Sequence, residues 1–301
     1  MLTPLAPQQE SPTKIERIVE SYSDKASFAI EVLVSAGPRK TTAEYDSDKV
    51  ALELCEDSAG VLTAGDISAF WVCDGTSNGP SIAGLSNRAF SRDLGRQCSR
   101  EMIKQLVTGS CELDSCDLGG EYFSSLVKGW RVGVSDFISN FVDAGTEAAF
   151  LDSIPQIDHE TWRLTWSSTL LIGIFRREQR ELTLFNRGDC GAVVLGDKAF
   201  VVRPNRDIVA LACTIRRQFS GALSASFTWP RIASPPRCEL FHNVTGFLAV
   251  TDGFSNSPLE EFLEGLVTTI ATSPIAEVRS ALLRRADPSY DDKAIVFGYF
   301  L

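Results

Sequence analysis

Ile67-Ser-Ala-Phe-Trp-Val-Cys-Asp-Gly75 is a β-favouring run that stops abruptly on an Asp-Gly pair. The same design returns at Gly246-Phe-Leu-Ala-Val-Thr251, which ends on Asp252-Gly253. Acids also stand just ahead of strand-like runs, at Glu56-Asp57 and at Asp291-Asp292, the latter preceding Lys293-Ala-Ile-Val-Phe-Gly-Tyr-Phe-Leu301. Asp-Gly is a common turn dipeptide, so one such pair reads as a turn. Four acidic positions in order, each flanked by a strand, read as carboxylates carried on strand ends.

Working outward, Ala26–Ala36 alternates well enough for a first strand, and Val61–Cys73 holds two short ones. Ile82–Leu106 has apolar residues near helical spacing. So does Tyr122–Val142, with Phe123, Leu126, Trp130, Val134, Phe137, Ile138 and Phe141 on one face. The segment between these helices, Thr108–Gly120, reads as a loop. After Pro155 short strands follow one another at Ser168–Phe175, Glu181–Asn186, Ala192–Leu195 and Phe200–Arg203, divided by turn signals at 176–180, 188–189 and 196–197. Two short helices, Leu259–Thr269 and Pro274–Arg285, precede the last strand. Helices segregated from hairpin-linked strands predict a layered α+β domain, without the β-α-β alternation of a parallel sheet. Residues 1–25 read as a flexible lead-in and 26–301 as a single domain.

The bulk composition excludes several classes. A net charge of −10 and a pI near 4.9 argue against nucleic-acid and anionic-membrane partners. None of the eight cysteines forms a C-x-x-C pair, so a zinc ribbon or a thioredoxin-like site has no support. Cys55, Cys73 and Cys190 lie in or beside apolar runs and read as buried thiols of a reducing compartment. The N-terminal residues carry no basic and apolar signal segment, and the longest apolar stretch, Leu170–Phe175, is far short of a membrane span. The expectation is a soluble, cytoplasmic protein.

Carboxylates on strand ends can converge on one edge of a sheet. Such a cluster is unfavourable when empty, because like charges at close range oppose mutual ionisation. Hard divalent cations remove that cost, and Mg²⁺ or Mn²⁺ prefers oxygen ligands. The glycines after Asp74 and Asp252 permit tight turns and close backbone approach. His159 and His242 lack the spacing of a metal motif. Ser77 and Ser255 lack a G-x-S-x-G elbow. Cys73-Asp-Gly-Thr76 is reminiscent of haloacid dehalogenase-type phosphatases, but Val72 stands where their nucleophilic aspartate would be.

From about Val50 onward the chain resembles the metal-dependent serine/threonine phosphatases of type 2C, the PPM family. The resemblance is carried by Leu54-Cys-Glu-Asp-Ser58, Phe70-Trp-Val-Cys-Asp-Gly75, Trp166-Ser-Ser-Thr-Leu170, Phe185-Asn-Arg-Gly-Asp-Cys190, Leu248-Ala-Val-Thr-Asp-Gly253 and Asp291-Asp-Lys-Ala-Ile295. It implies a four-layer α-β-β-α sandwich of two antiparallel sheets flanked by helices. It further implies two Mg²⁺ or Mn²⁺ ions, with Asp74 bridging them, the Gly75 carbonyl on one, and Asp252 and Asp291 on the other. Glu56 and Asp57 would support the site directly or through water. The implied activity is hydrolysis of phosphoserine or phosphothreonine in proteins through a metal-bound hydroxide, with a phosphorylated protein as substrate and a Ser/Thr kinase as signalling partner. Catalysis would reside in Asp74, Asp252 and Asp291 through the bound ions.

The chain departs from the family at points that concern phosphate capture. Leu52-Glu53 occupy the neighbourhood of the usual phosphate-binding arginine, Thr76-Ser77-Asn78 follow Asp-Gly, and Leu164 stands where a third-metal aspartate occurs in some members. The phosphate-binding group is therefore unknown. Arg88 and Arg92 are nearby cations on a helix whose ordinary place is a solvated face. These departures leave an alternative: a catalytically weak or inactive phosphatase-like module that binds a phosphoprotein or partner.

Overall fold

The computed structural model describes residues 13–16, 28–35, 55–75, 87–108, 163–204, 211–217, 223–228, 237–254, 259–272 and 292–300. In chain order the strands are β1 (Thr13–Glu16), β2 (Phe28–Ser35), β3 (Ser58–Ala64), β4 (Ile67–Cys73), β5 (Arg163–Ser168), β6 (Leu170–Arg176) and β7 (Glu181–Arg187). They continue as β8 (Gly191–Leu195), β9 (Ala199–Val202), β10 (Leu211–Arg217), β11 (Leu223–Thr228), β12 (Arg237–Phe241), β13 (Gly246–Val250) and β14 (Lys293–Phe300). Among the described residues the helices are α1 (Asn87–Thr108) and α2 (Leu259–Thr272), with a 3₁₀ turn at Asp252–Phe254.

Among the described residues every strand pairing is antiparallel. One sheet has the order β1-β2-β14-β13-β8-β9 and another β12-β7-β6-β4-β3, while β11-β10-β5 form a smaller third sheet. The two large sheets pack face to face, and the period-two alternation of each strand sorts its side chains between two cores. Phe28, Ile30 and Val32 of β2, Phe247 and Ala249 of β13, and Ala294 and Val296 of β14 face inward. There they meet Phe70 and Val72 of β4, Leu171 and Phe175 of β6, and Leu182 and Leu184 of β7. The intervening residues Ala29, Leu33, Leu248, Val250, Ile295 and Phe297 face the other way and are covered by Leu259, Phe262, Leu263 and Leu266 of α2. On the far side α1 lies on β3 and β4. The architecture is thus the α-β-β-α sandwich expected from the sequence.

Between the sheets, the rings of Phe70 and Phe247 stack with centroids 4.4 Å apart and planes 12° from parallel. Each ring also lies over a glycine on the strand beside it: Phe70 over Gly173, its register partner, and Phe247 over Gly298, likewise. A methyl at either glycine would enter the ring. Burying such a ring is worth about 1.5–3 kcal/mol and the stack about 0.5–1.5 more.

Several elements depart from the sequence expectation. Ser168–Phe175 is broken at Thr169 into β5 and β6, which belong to different sheets. β10, β11 and β12 were not anticipated; their alternation is diluted by Ser, Thr, Arg and Glu, which suits strands partly turned to water. β1 lies within the first 25 residues and pairs with β2, Thr13 opposite Ser35. The predicted helices Tyr122–Val142 and Pro274–Arg285 and the loop Thr108–Gly120 lie outside the described residues, except for Thr108 itself, the last residue of α1.

α1 seats on the sheet through Trp71, whose indole is buried in a slot between Gly60 of β3 and Gly95 of α1. Glycine inside a helix ordinarily costs about 0.5–1 kcal/mol relative to alanine. Here the sign reverses, because a Cβ at Gly95 would overlap the indole. Gly95→Ala is expected to destabilise the protein by about 1–3 kcal/mol, the usual range for overpacking. Urea unfolding measures it; a variant more stable than the parent would remove the slot from the account of how α1 docks.

Candidate metal centre

The strand register brings three acids to one end of the sandwich. In the five-stranded sheet Val72 is opposite Leu171 and Leu170 is opposite Arg187. Extending those ladders puts Asp74 beside Thr169, and Thr169 beside Gly188. The hydrogen bonds agree: Thr169 N donates to Asp74 O at 2.8 Å, and Asp74 N donates to Thr169 Oγ1 at 3.1 Å. Ser168 Oγ adds a third bond to Asp74 O at 3.0 Å. In the six-stranded sheet Val250 is opposite Gly191, so the next steps bring Thr251 to Cys190 and Asp252 toward Asp189. The segment Gly188–Cys190 joins β7 to β8 and so crosses from one sheet to the other. Gly188 takes a φ of +124°, which an L side chain rarely adopts, and this lets the chain turn there.

As a result, one carboxylate oxygen each from Asp74, Asp189 and Asp252 lies within 4.8 Å of the others. Asp74 is held well above its ordinary 3.8, first by burial, then by the charges of Asp57, Asp189 and Asp252, and by a hydrogen bond with Asp57. Asp57 itself is only 3% exposed. An all-oxygen, anionic donor set of this kind fits a hard divalent cation, whose charge removes the repulsion that raises Asp74.

The sequence-predicted residues divide as follows. Asp74 and Asp252 come together, and Asp57 is buried against Asp74. Gly75 bridges Ser168 and lies against the Glu56 carbonyl so closely that a Cβ would strike it. Glu56 is fixed through its backbone: its N–H donates to Asp292 Oδ2 at 2.6 Å, and its carbonyl accepts from Ser91 Oγ at 2.7 Å. Asp291 lies outside the described residues; its neighbour Asp292 is 3% exposed and packs its carbonyl on Gly253. Asp189 was not among the expected site residues. Its signal is in the motif Phe185-Asn-Arg-Gly-Asp-Cys190, which carries part of the family resemblance but to which no metal role was assigned.

Other candidates separate from the site. Arg92 is exposed and pairs with Asp93 at 3.4 Å, a solvated helix face. The side chains of Arg88 and Leu164 lie outside the described set, as does His159. His242 is exposed, 3.0 Å from Glu181, near the start of β13 and so at the opposite end of that strand from Asp252. Cys73 and Cys190 flank Asp74 and Asp189, which raises the question of a thiol nucleophile. Both are fully buried, and burial above all pushes each thiol well above its ordinary 9.0, with Cys98 next for Cys73 and Asp189 next for Cys190. A thiol shut away from solvent in apolar surroundings is the structural rather than the reactive kind, and neither position suits a nucleophile.

No protein-family profile matches the chain, and no curated protein matches its sequence. Among solved structures it is similar to RsbX in complex with magnesium, at TM-score 0.48 and 12% identity over 94% of this chain and all of that one. It is also similar to the serine/threonine phosphatase Stp1 from Staphylococcus aureus, at TM-score 0.44 and 11% identity over 95% of this chain and 99% of that one. A bacterial serine phosphatase is similar at TM-score 0.44 and 11% identity, over 89% and 96%.

The raised Asp74 makes a signed prediction. A folded-state value above the unfolded one means that the folded chain holds the proton more tightly, so stability falls as pH rises through the interval between them. The cost is absent below about 3.8, where Asp74 is protonated in both states, and is complete above the folded-state value. In metal-free protein Asp74→Asn is therefore expected to raise the thermal midpoint at pH 7 by a few degrees, with the advantage shrinking toward pH 4. Thermal scans in EDTA across that range check it; an advantage that grows on acidification contradicts the assigned cause.

Proposed function

We propose that the chain is a metal-dependent phosphatase of the type 2C kind, hydrolysing phosphoserine or phosphothreonine in proteins with two Mg²⁺ or Mn²⁺ ions. The observation that carries the reading is the meeting of Asp74, Asp189 and Asp252 within 4.8 Å, from three segments of both large sheets. In this reading Asp74, Asp252, Asp291 and the Gly75 carbonyl, the ligands named from sequence, would hold the ions, with Asp189 added. When bound, the ions would supply an activated water for in-line attack on phosphorus and neutralise charge on the phosphoryl oxygens.

The chain's own residues do the positioning. The Thr169 N–H and the Ser168 hydroxyl both donate to the Asp74 carbonyl and hold its main chain in place, while Asp57 is buried against it. The Asp292 carboxylate and Ser91 hydroxyl hold Glu56 in place. Mg²⁺ is commonly bound by few carboxylates together with substrate phosphate, and this donor set leaves room for that arrangement. A phosphorylated protein as substrate, a kinase acting upstream of it, a signalling role and a cytoplasmic setting belong to the same proposal.

The test is turnover of a small aryl phosphate and of a phosphoserine peptide with Mn²⁺. Asp74→Ala and Asp252→Ala are expected to lower kcat/KM by about a hundredfold or more, the scale of losing an electrostatic element of the transition state. Metal-dependent turnover left intact in both variants would overturn the proposal. Peptide binding without turnover in the parent would convert it to a phosphoprotein-binding module.

A further inference from the structure

We infer that Thr169 is a positioning residue that sets Asp74 and Asp189 relative to each other. The inference rests on the metal-centre reading above and deepens it. Thr169 is 6% exposed and stands at the break between β5 and β6, where register places it between the Asp74 and Gly188 segments. Toward Asp74 it makes a reciprocal backbone and side-chain pair: its N–H donates to Asp74 O, and its Oγ1 accepts from Asp74 N. Toward the other carboxylate, Oγ1 is 3.3 Å from Cys190 Sγ, the residue after Asp189.

The contacts of Thr169 Oγ1 link the two segments. With Oγ1 accepting from Asp74 N, its one hydrogen faces two acceptors, Cys190 Sγ at 3.3 Å and Asp74 O at 3.5 Å, so that either choice ties Thr169 to the site. The Cys190 thiol in turn donates to Val72 O at 3.8 Å, returning the link to β4 two residues before Asp74. The methyl side of Thr169 is fixed as well. Gly188 packs directly on its Cβ and Cγ2, so that no side chain fits at 188. One residue thus touches the backbone of one carboxylate-bearing segment and both neighbours of the other carboxylate. Groups that orient ligands from behind commonly change metal affinity by about 10–100-fold when removed.

Thr169→Val keeps the methyl under Gly188 and deletes the hydroxyl; Thr169→Ser keeps the hydroxyl. Calorimetry with Mn²⁺ on the full chain, at a temperature where circular dichroism shows each protein folded, is expected to give roughly 10–100-fold weaker binding for the valine variant. The serine variant should remain close to the parent. A residue with only a structural role would lower the unfolding midpoint and leave the Mn²⁺ affinity of the folded protein unchanged, and that result overturns the inference. Amide hydrogen exchange without metal gives an independent arm. The valine change should accelerate exchange at Asp74 and at Asp189–Cys190 together, while Leu248 in β13 keeps its protection; acceleration at Asp74 alone overturns the coupling. If the parent binds no Mn²⁺, the metal-centre reading fails and the exchange arm still decides the role of Thr169. Should the valine variant not fold, Cys190→Ala breaks the contact from its other end and is expected to accelerate exchange at Asp74; an unchanged rate there counts against the link.

Discussion

Carboxylates forced together repel, and everything at this end of the molecule is organised around holding three of them in place. Asp74, Asp189 and Asp252 would separate if their backbones allowed it, since one strand step apart relieves about 1 kcal/mol of charge repulsion per pair at an effective dielectric near 20. They do not, because Asp74 and Asp252 follow strands whose ladders are fixed by buried faces, and Asp189 is held in the short connection between two more such strands. A slip of one residue in β4 or β13 would turn Phe70 or Phe247 out of the core, so the register cannot relax to ease the charge. The hydrophobic core thereby sustains an electrostatic arrangement that the acids alone would not adopt.

The fold was readable from the sequence wherever one face of a strand is buried and the other is not. Phe28, Ile30 and Val32 against Ala29 and Leu33 give β2 its alternation, and the runs of β4, β13 and β14, buried on both faces, announce themselves by continuous hydrophobicity. The strands that escaped notice, β10 to β12, include Cys238 and Leu240 turned to water and few large apolar residues, so periodicity carried little signal. The break at Thr169 was also illegible, because Ser168 and Thr169 are both acceptable in a strand. It takes the pairing of β5 with β10, some forty residues away in sequence, to draw the chain out of the sheet.

At the site, the acids of the strand-ending Asp-Gly pairs were legible one at a time, but their meeting was not. Sequence spacing says nothing of which strands are neighbours. Asp252 reaches Asp189 only because β13 pairs with β8, and Asp74 reaches both only because the two sheets stack. Asp189 stood in a recognised motif without a ligand role, because it serves a connection between sheets, and a Gly-Asp turn there is locally indistinguishable from Gly196-Asp197, an ordinary surface turn.

The stacked rings of Phe70 and Phe247 have a mechanical consequence. Each ring is seated in a notch made by a glycine of its own sheet, and the two seats face each other across the interior, so the sheets engage as a detent does: they can settle at one offset and resist sliding to another. Asp74 and Asp252 lie four and five residues along the same two strands, one on each sheet. The lateral alignment of the acidic cluster is thus indexed some 13–17 Å away, at about 3.3 Å per residue, by a pair of hydrocarbon rings that never meet a ligand.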